Sequence, residues 1–148
     1  MNTPLVSIII PFFNEEKYIK KAVNSALKQD YPNIEVLLID DNSTDRSREI
    51  CEEFLDDRIN LISKGNLSKG EASSRNLGVT HSKGELVTFL DGDDEMTVDR
   101  VSKQVDVCIN SDKNTVVGCW VKLLELQTGI LKTPPMHKDI VAGFHREY

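Results

Sequence analysis

The sequence predicts an α/β fold, a mainly parallel sheet with helices on both faces. Two observations carry that expectation. Short apolar runs rich in β-branched residues alternate along the chain with segments whose apolar residues recur at helical spacing. The runs are also continuous rather than alternating, as in strands covered on both faces.

The first run, residues 5–10 (LVSIII), reads as a buried strand. Asn14 is expected to cap the next helix, with Glu15 and Glu16 in its positive first turn. Tyr18, Ile19, Ala22, Val23, Ala26 and Leu27 then mark one helical face. Tyr31-Pro32-Asn33 is a turn, and residues 34–39 (IEVLLI) form the second strand. Ser43 is expected to cap a second helix with the stripe Ile50, Cys51, Phe54 and Leu55. Residues 59–62 are a short third strand, 64–70 a loop, 71–80 a helix and 86–90 a fourth strand. Val98, Val101, Val105, Cys108 and Ile109 make another helical stripe. Residues 116–126 are strand-like, with Gln127-Thr128-Gly129 turning the chain back, and a last helix is expected from Met136. The helical pattern is still running at Tyr148, so a fragment of a longer protein is expected.

The 148 residues suffice for a single compact domain over 1–148. No stretch reaches the ~18 consecutive apolar residues of a membrane helix. Residues 5–13, the longest apolar segment, are interrupted by Ser7 and Pro11. The N-terminus lacks a secretory pattern, so a cytoplasmic location is expected. The cysteines Cys51, Cys108 and Cys119 are widely spaced without a C-x-x-C, which fits small apolar residues in a reducing compartment. A net charge of −6 disfavours nucleic acid as a partner. His81, His137 and His145 have no partner at metal-ligand spacing and read as surface residues.

In parallel sheets, ligands sit beyond the carboxyl ends of the strands. Asn14 and Glu15, Asp40 and Asp41, and Asp91 to Asp94 all follow strands, so three acidic clusters should meet on one rim. Phe89-Leu90-Asp91-Gly92-Asp93-Asp94 is the strongest element. Two carboxylates in a D-x-D turn suit a hard divalent cation, Mn²⁺ or Mg²⁺, that completes its shell with water and diphosphate oxygens. The ion would let an acidic rim accept an anionic ligand. Asp41 is the expected ligand-facing member of its pair and Asp40 the structural one. Arg75 would either reach the same rim or pair with a carboxylate. An EF-hand does not fit, because Met96 stands where Gly is needed and Ser102 where Glu is needed. Gly65 and Gly70 have P-loop spacing, but Glu71-Ala72 replaces the Lys-Ser/Thr pair. No G-x-G-x-x-G occurs, which weakens a dinucleotide oxidoreductase reading.

Four blocks together resemble glycosyltransferase family 2, which has the GT-A fold. They are Val6-Ser7-Ile8-Ile9-Ile10-Pro11-Phe12-Phe13-Asn14-Glu15, Glu35 through Asp45, Gly70 through Gly78, and Gly84 through Asp94. The resemblance implies a nucleotide-diphosphate sugar as donor, expected to be a UDP-sugar, and a saccharide or lipid-linked hydroxyl as acceptor. It implies that Pro11, Phe13, Glu15, Asp41, Arg75 and Asp91 bind the nucleotide, with Phe13 stacking on the base. It implies that Asp91 and Asp93 hold Mn²⁺ or Mg²⁺, and that transfer inverts the anomeric centre. The resemblance weakens beyond Val107, and the catalytic base is expected outside this chain. The fragment alone is therefore expected to bind donor weakly and to transfer sugar slowly or not at all. A non-catalytic nucleotide- or cation-binding module is the competing reading. The resemblance leaves room for a homo-oligomer, and for membrane association at the inner face of the cell membrane through parts not in this chain.

Overall fold

The computed structural model describes residues 3–65, 70–111, 116–118, 123–125 and 130–132. The chain divides into two compact units, Met1–Ser102 and Lys103–Tyr148. In the first, strands β1 (Val6–Phe12), β2 (Ile34–Asp40), β3 (Ile59–Ser63) and β4 (Leu86–Phe89) form one parallel sheet in the order β3-β2-β1-β4. Helices α1 (Ile19–Leu27), α2 (Ser47–Glu52) and α3 (Glu71–His81) alternate with them, as the apolar pattern predicts. Helix α4 (Arg100–Ile109) follows β4. In the second unit, β5 (Leu123–Glu125) and β6 (Ile130–Lys132) pair antiparallel. Residues 116–118 lie outside any strand, so the long strand expected there is shorter; Gly118 supplies no side chain to a ladder. The expected tail helix, with Cys119, His137 and His145, lies outside the described residues. Among the described residues, no helix is long and apolar enough to cross a membrane.

The core sits on the two central strands. Ile8, Ile9, Ile10, Val36, Leu37, Leu38 and Ile39 are all fully buried, so both faces of β1 and β2 are covered. Ile9 and Leu37 are paired across the ladder and form a cluster with Ile39, Ile62 and Leu77 of α3. The alternate residues Ile8, Ile10, Val36 and Leu38 occupy the opposite face by strand periodicity. Helix α1, which also packs on β1 and β2, buries Ile19, Ala22, Val23 and Ala26.

β1 runs two residues past the expected end at Ile10, through Pro11 to Phe12. The ladder explains why proline is tolerated. Leu90 N donates to Ile9 O at 3.0 Å, the last bond toward β4, while Asp41 N donates to Phe12 O at 3.0 Å toward β2. Pro11 turns its missing donor to the side where the ladder has already ended.

Both expected caps are corrected. Helix α1 begins at Ile19, and Glu15 O accepts from Tyr18 N and Ile19 N. Asn14 adopts φ 57° and turns its carboxamide to the loop after β2, where Oδ1 accepts from Thr44 N at 2.7 Å and Asp45 N at 3.3 Å. Ser43 Oγ in turn accepts from Asn14 N at 3.2 Å. The two polar residues thus tie neighbouring loops together instead of capping their own helices. Asp45 Oδ1 takes Ser47 N at 2.9 Å at the start of α2. That helix stops at Glu52, so the expected stripe is cut short: Cys51 is buried, but Leu55 is 100% exposed.

Helix α3 approaches the sheet closely because Gly78 has no side chain. A Cβ there would lie 2.4 Å from Ile9 Cγ2, inside the fully buried core. Gly78→Ala is therefore expected to destabilise the fold by about 1–3 kcal/mol, the usual cost of overpacking. A lower denaturant midpoint with an unchanged slope is the expected measurement.

Candidate functional site

The strand order fixes where a site belongs. The chain leaves β1 toward β2 and β3, then returns to β4 on the other side of β1. The reversal opens a crevice beyond the carboxyl ends of β1 and β4. A cavity of about 350 Å³ lies there, lined by Pro11, Phe12, Phe13, Glu15, Asp41, Glu71, Ser74, Asp91, Gly92 and Asp93. The loops after β1, β2 and β4 and the first turn of α3 all contribute.

Pro11, Phe13, Glu15, Asp41, Asp91 and Asp93, all singled out from the sequence, share this cavity. Phe13 is 53% exposed and lines the cavity, so aromatic surface is available to a ligand there. Arg75 lies beside the cavity. Its Nη2 donates to Asp91 Oδ1 at 2.6 Å and also pairs with Glu71, while its guanidinium lies 6.0 Å from the Phe89 ring centroid. Both sequence readings of Arg75 therefore hold at once: it reaches the rim and pairs with a carboxylate there. Asp40 is the buried, structural aspartate of its pair, accepting from Ser43 N at 2.8 Å and facing Arg48 at 3.4 Å. Gly92 lets the D-x-D turn lie against β1, since a Cβ there would meet Phe12 Cβ at 2.9 Å.

Sequence reasoning missed Lys64, Glu71 and Ser74. Lys64 follows an apolar strand and its side chain is fully buried, with Nζ 2.9 Å from Asp41 Oδ1. Its signal was weak, a single charge at a strand end. Glu71, Ser74, Arg75 and Gly78 recur at helical spacing, and that periodicity in polar and small residues was the available clue.

The electrostatics are uneven. Asp41 faces Lys64 and Asp91 faces Arg75. Burial, then the charges of Asp93 and Asp45, push the Glu15 carboxyl above its ordinary range. Burial, then Asp93 and Asp91, raise Asp94 likewise, with Arg100 opposing. Among the described residues, no three His, Cys, Asp or Glu side chains are grouped to enclose a metal ion by themselves. Asp91 and Asp93 bring two hard carboxylate groups to the cavity lining, and the charge of Asp93 adds to burial in raising the neighbouring acids Glu15 and Asp94. That donor set fits Mg²⁺ or Mn²⁺ sharing its shell with water and a phosphate ligand.

The sequence profile described as Glycosyl transferase family 2 matches residues 7–130. The chain belongs to this family. The architecture agrees with the GT-A fold of solved relatives. A structure of S. aureus TarS in complex with UDP-GlcNAc is 31% identical, with a TM-score of 0.67 over 72% of this chain and 31% of its own. A mannosyltransferase of Pyrobaculum calidifontis in complex with GDP-Man and Mn²⁺ is 27% identical, with a TM-score of 0.67 over 77% of this chain and 34% of its own. An uncharacterized glycosyltransferase of Haemophilus influenzae is 41% identical over 113 residues, 75% of this chain and 45% of its own length. A UDP-Glc:alpha-D-GlcNAc-diphosphoundecaprenol beta-1,3-glucosyltransferase of Escherichia coli is 43% identical over 133 residues, 88% of this chain and 52% of its own length. The family 2 chain thus spans about half the length of these two relatives.

Raised acids at the site link stability to pH. Between the ordinary glutamate value of 4.5 and the higher folded value of Glu15, the folded protein keeps a proton that the unfolded chain has released. Stability contributed by this group therefore falls as pH rises through that window and stays lower above it. Glu15→Gln is expected to raise the thermal midpoint at neutral pH and to leave it unchanged well below pH 4.5. Melting curves at the two pH values check this.

Proposed function

We propose that this chain is the donor-binding part of an inverting, metal-assisted glycosyltransferase. The donor is a nucleotide-diphosphate sugar, a UDP-sugar in the first instance, and the acceptor a hydroxyl of a saccharide or lipid-linked saccharide. The observation that carries the reading is the convergence of Pro11, Phe13, Glu15, Asp41, Asp91 and Asp93 on one cavity at the strand-order reversal. Relatives that act on a lipid-linked diphosphate or bind UDP-GlcNAc support the donor and acceptor classes.

In this reading, Phe13 stacks on the base beside Pro11. Asp41 and Glu15 accept hydrogen bonds from base N–H or ribose hydroxyl groups. Arg75 lies near the nucleotide and balances Asp91. Asp93 is the main protein ligand of Mn²⁺ or Mg²⁺, with Asp91 beside it. When bound, such an ion supplies Lewis-acid stabilisation of the leaving diphosphate. The general base for the acceptor hydroxyl is not assigned to any residue of this chain. The expected setting is the cytoplasm, at the inner face of the membrane for a lipid-linked acceptor.

Calorimetric titration of UDP with and without Mn²⁺ tests the reading. The ion is expected to tighten UDP binding about tenfold or more, roughly 1.4 kcal/mol. Asp93→Ala is expected to remove that increment and leave ion-free binding unchanged. UDP binding indifferent to Mn²⁺, or tight NAD binding with no response to UDP, would overturn it.

A further inference from the structure

Lys64 is a buried cation for which the reading above has no role. The residue is 2% exposed, and its side chain is fully enclosed. Its Nζ lies 2.9 Å from Asp41 Oδ1 and donates to Gly70 O at 3.0 Å and Ser74 Oγ at 3.1 Å. Two of its donors go to neutral oxygens of the α3 start, and its charge is paired with the Asp41 carboxylate. These partners come from two different places, the end of β2 and the first turn of α3. Asp41 Oδ2 closes the arrangement by accepting from Gly70 N at 2.9 Å. Lys64 itself is anchored by its own N–H, which donates to Asp40 O at 3.0 Å.

Asp41 and Ser74 both line the cavity, and the Asp41 side chain is 13% exposed. A mostly buried carboxylate with one edge on a cavity has its direction set by whatever pairs with it from behind. A buried charge that loses its partner is strongly penalised, so the geometry of such a pair is stiff. Ser74 belongs to the helix that also carries Glu71 and Arg75 toward the rim.

We propose that Lys64 is the positioning residue of the nucleoside side of the cavity: through one buried ammonium it fixes both the Asp41 carboxylate and the start of α3. Lys64 touches no ligand and acts only through Asp41 and Ser74. The inference rests on the proposed function for its ligand, a nucleoside whose base or ribose donates to Asp41, while the contact itself is independent of that ligand.

The test compares UDP with inorganic pyrophosphate, both with Mn²⁺, on the wild-type chain and on Lys64→Met. Pyrophosphate lacks the base and ribose and meets only the Asp91–Asp93 side. Lys64→Met is expected to weaken UDP about tenfold or more, as breaking a buried charge pair does, with pyrophosphate affinity unchanged. Asp41→Asn should weaken UDP similarly, and the double variant should lose no more than the worse single. Wild-type UDP affinity in a folded Lys64→Met, or equal loss of UDP and pyrophosphate, overturns the proposal. Should Lys64→Met fail to fold, Lys64→Gln keeps donors for the same slot and is judged on the same split between UDP and pyrophosphate. If the wild-type chain binds neither ligand, the proposed function fails, and Lys64 is judged without ligand by amide exchange at Gly70. Exchange faster by about fivefold or more in the Lys64 variant supports positioning of Asp41, and an unchanged rate refutes it.

Discussion

Like charges gathered on one rim repel, and the architecture of this chain follows from how each carboxylate is answered. A parallel sheet sends every strand out at the same end, so the acidic residues after β1, β2 and β4 must meet. Asp40 is answered inside the fold by Ser43 N and Arg48. Asp41 is answered by Lys64 from behind, and Asp91 by Arg75 from the side. Glu15 and Asp94 are raised above their ordinary range by burial first and by the charge of Asp93 second, so the rim keeps an excess of negative charge around that residue. The proposed divalent ion would answer that charge: it would remove the repulsion and offer a diphosphate an attractive partner.

The scaffold brings those groups together by close approach. Gly78 lets α3 press on Ile9, which brings Glu71, Ser74 and Arg75 to the rim, and Gly92 seats the D-x-D turn against Phe12. The loops after β1 and β2 are stitched by Asn14 and Ser43. These contacts hold the site from several elements at once, as a preorganised binding surface requires.

The parts of the sequence that were legible are those in which one local pattern has one meaning. Continuous runs such as IEVLLI marked β2, and the ordering of apolar runs marked a parallel sheet, while the register of β2 on β1 came only with the structure. Candidate site residues were legible because position after a strand decides position on the rim. Asn14 and Ser43 were misread because the same side-chain oxygen serves a local cap or a neighbouring loop, and only the tertiary structure decides between them. Pro11 was misread as a strand end because the side of the ladder that loses the donor is invisible in the sequence. Lys64 was missed for a related reason: a lone lysine ordinarily snorkels to solvent, and its burial depends on the Asp41 carboxylate and on Gly70 O and Ser74 Oγ, which only the fold brings to it.

The central claim is that a divalent ion neutralises the Asp91–Asp93 turn so that a diphosphate can sit against it. Anomalous diffraction from crystals soaked with manganese and UDP tests it most directly. The account requires a manganese peak at those two carboxylates with the diphosphate beside it. Nucleotide in the crevice with no anomalous peak there, or manganese bound only elsewhere, would contradict it.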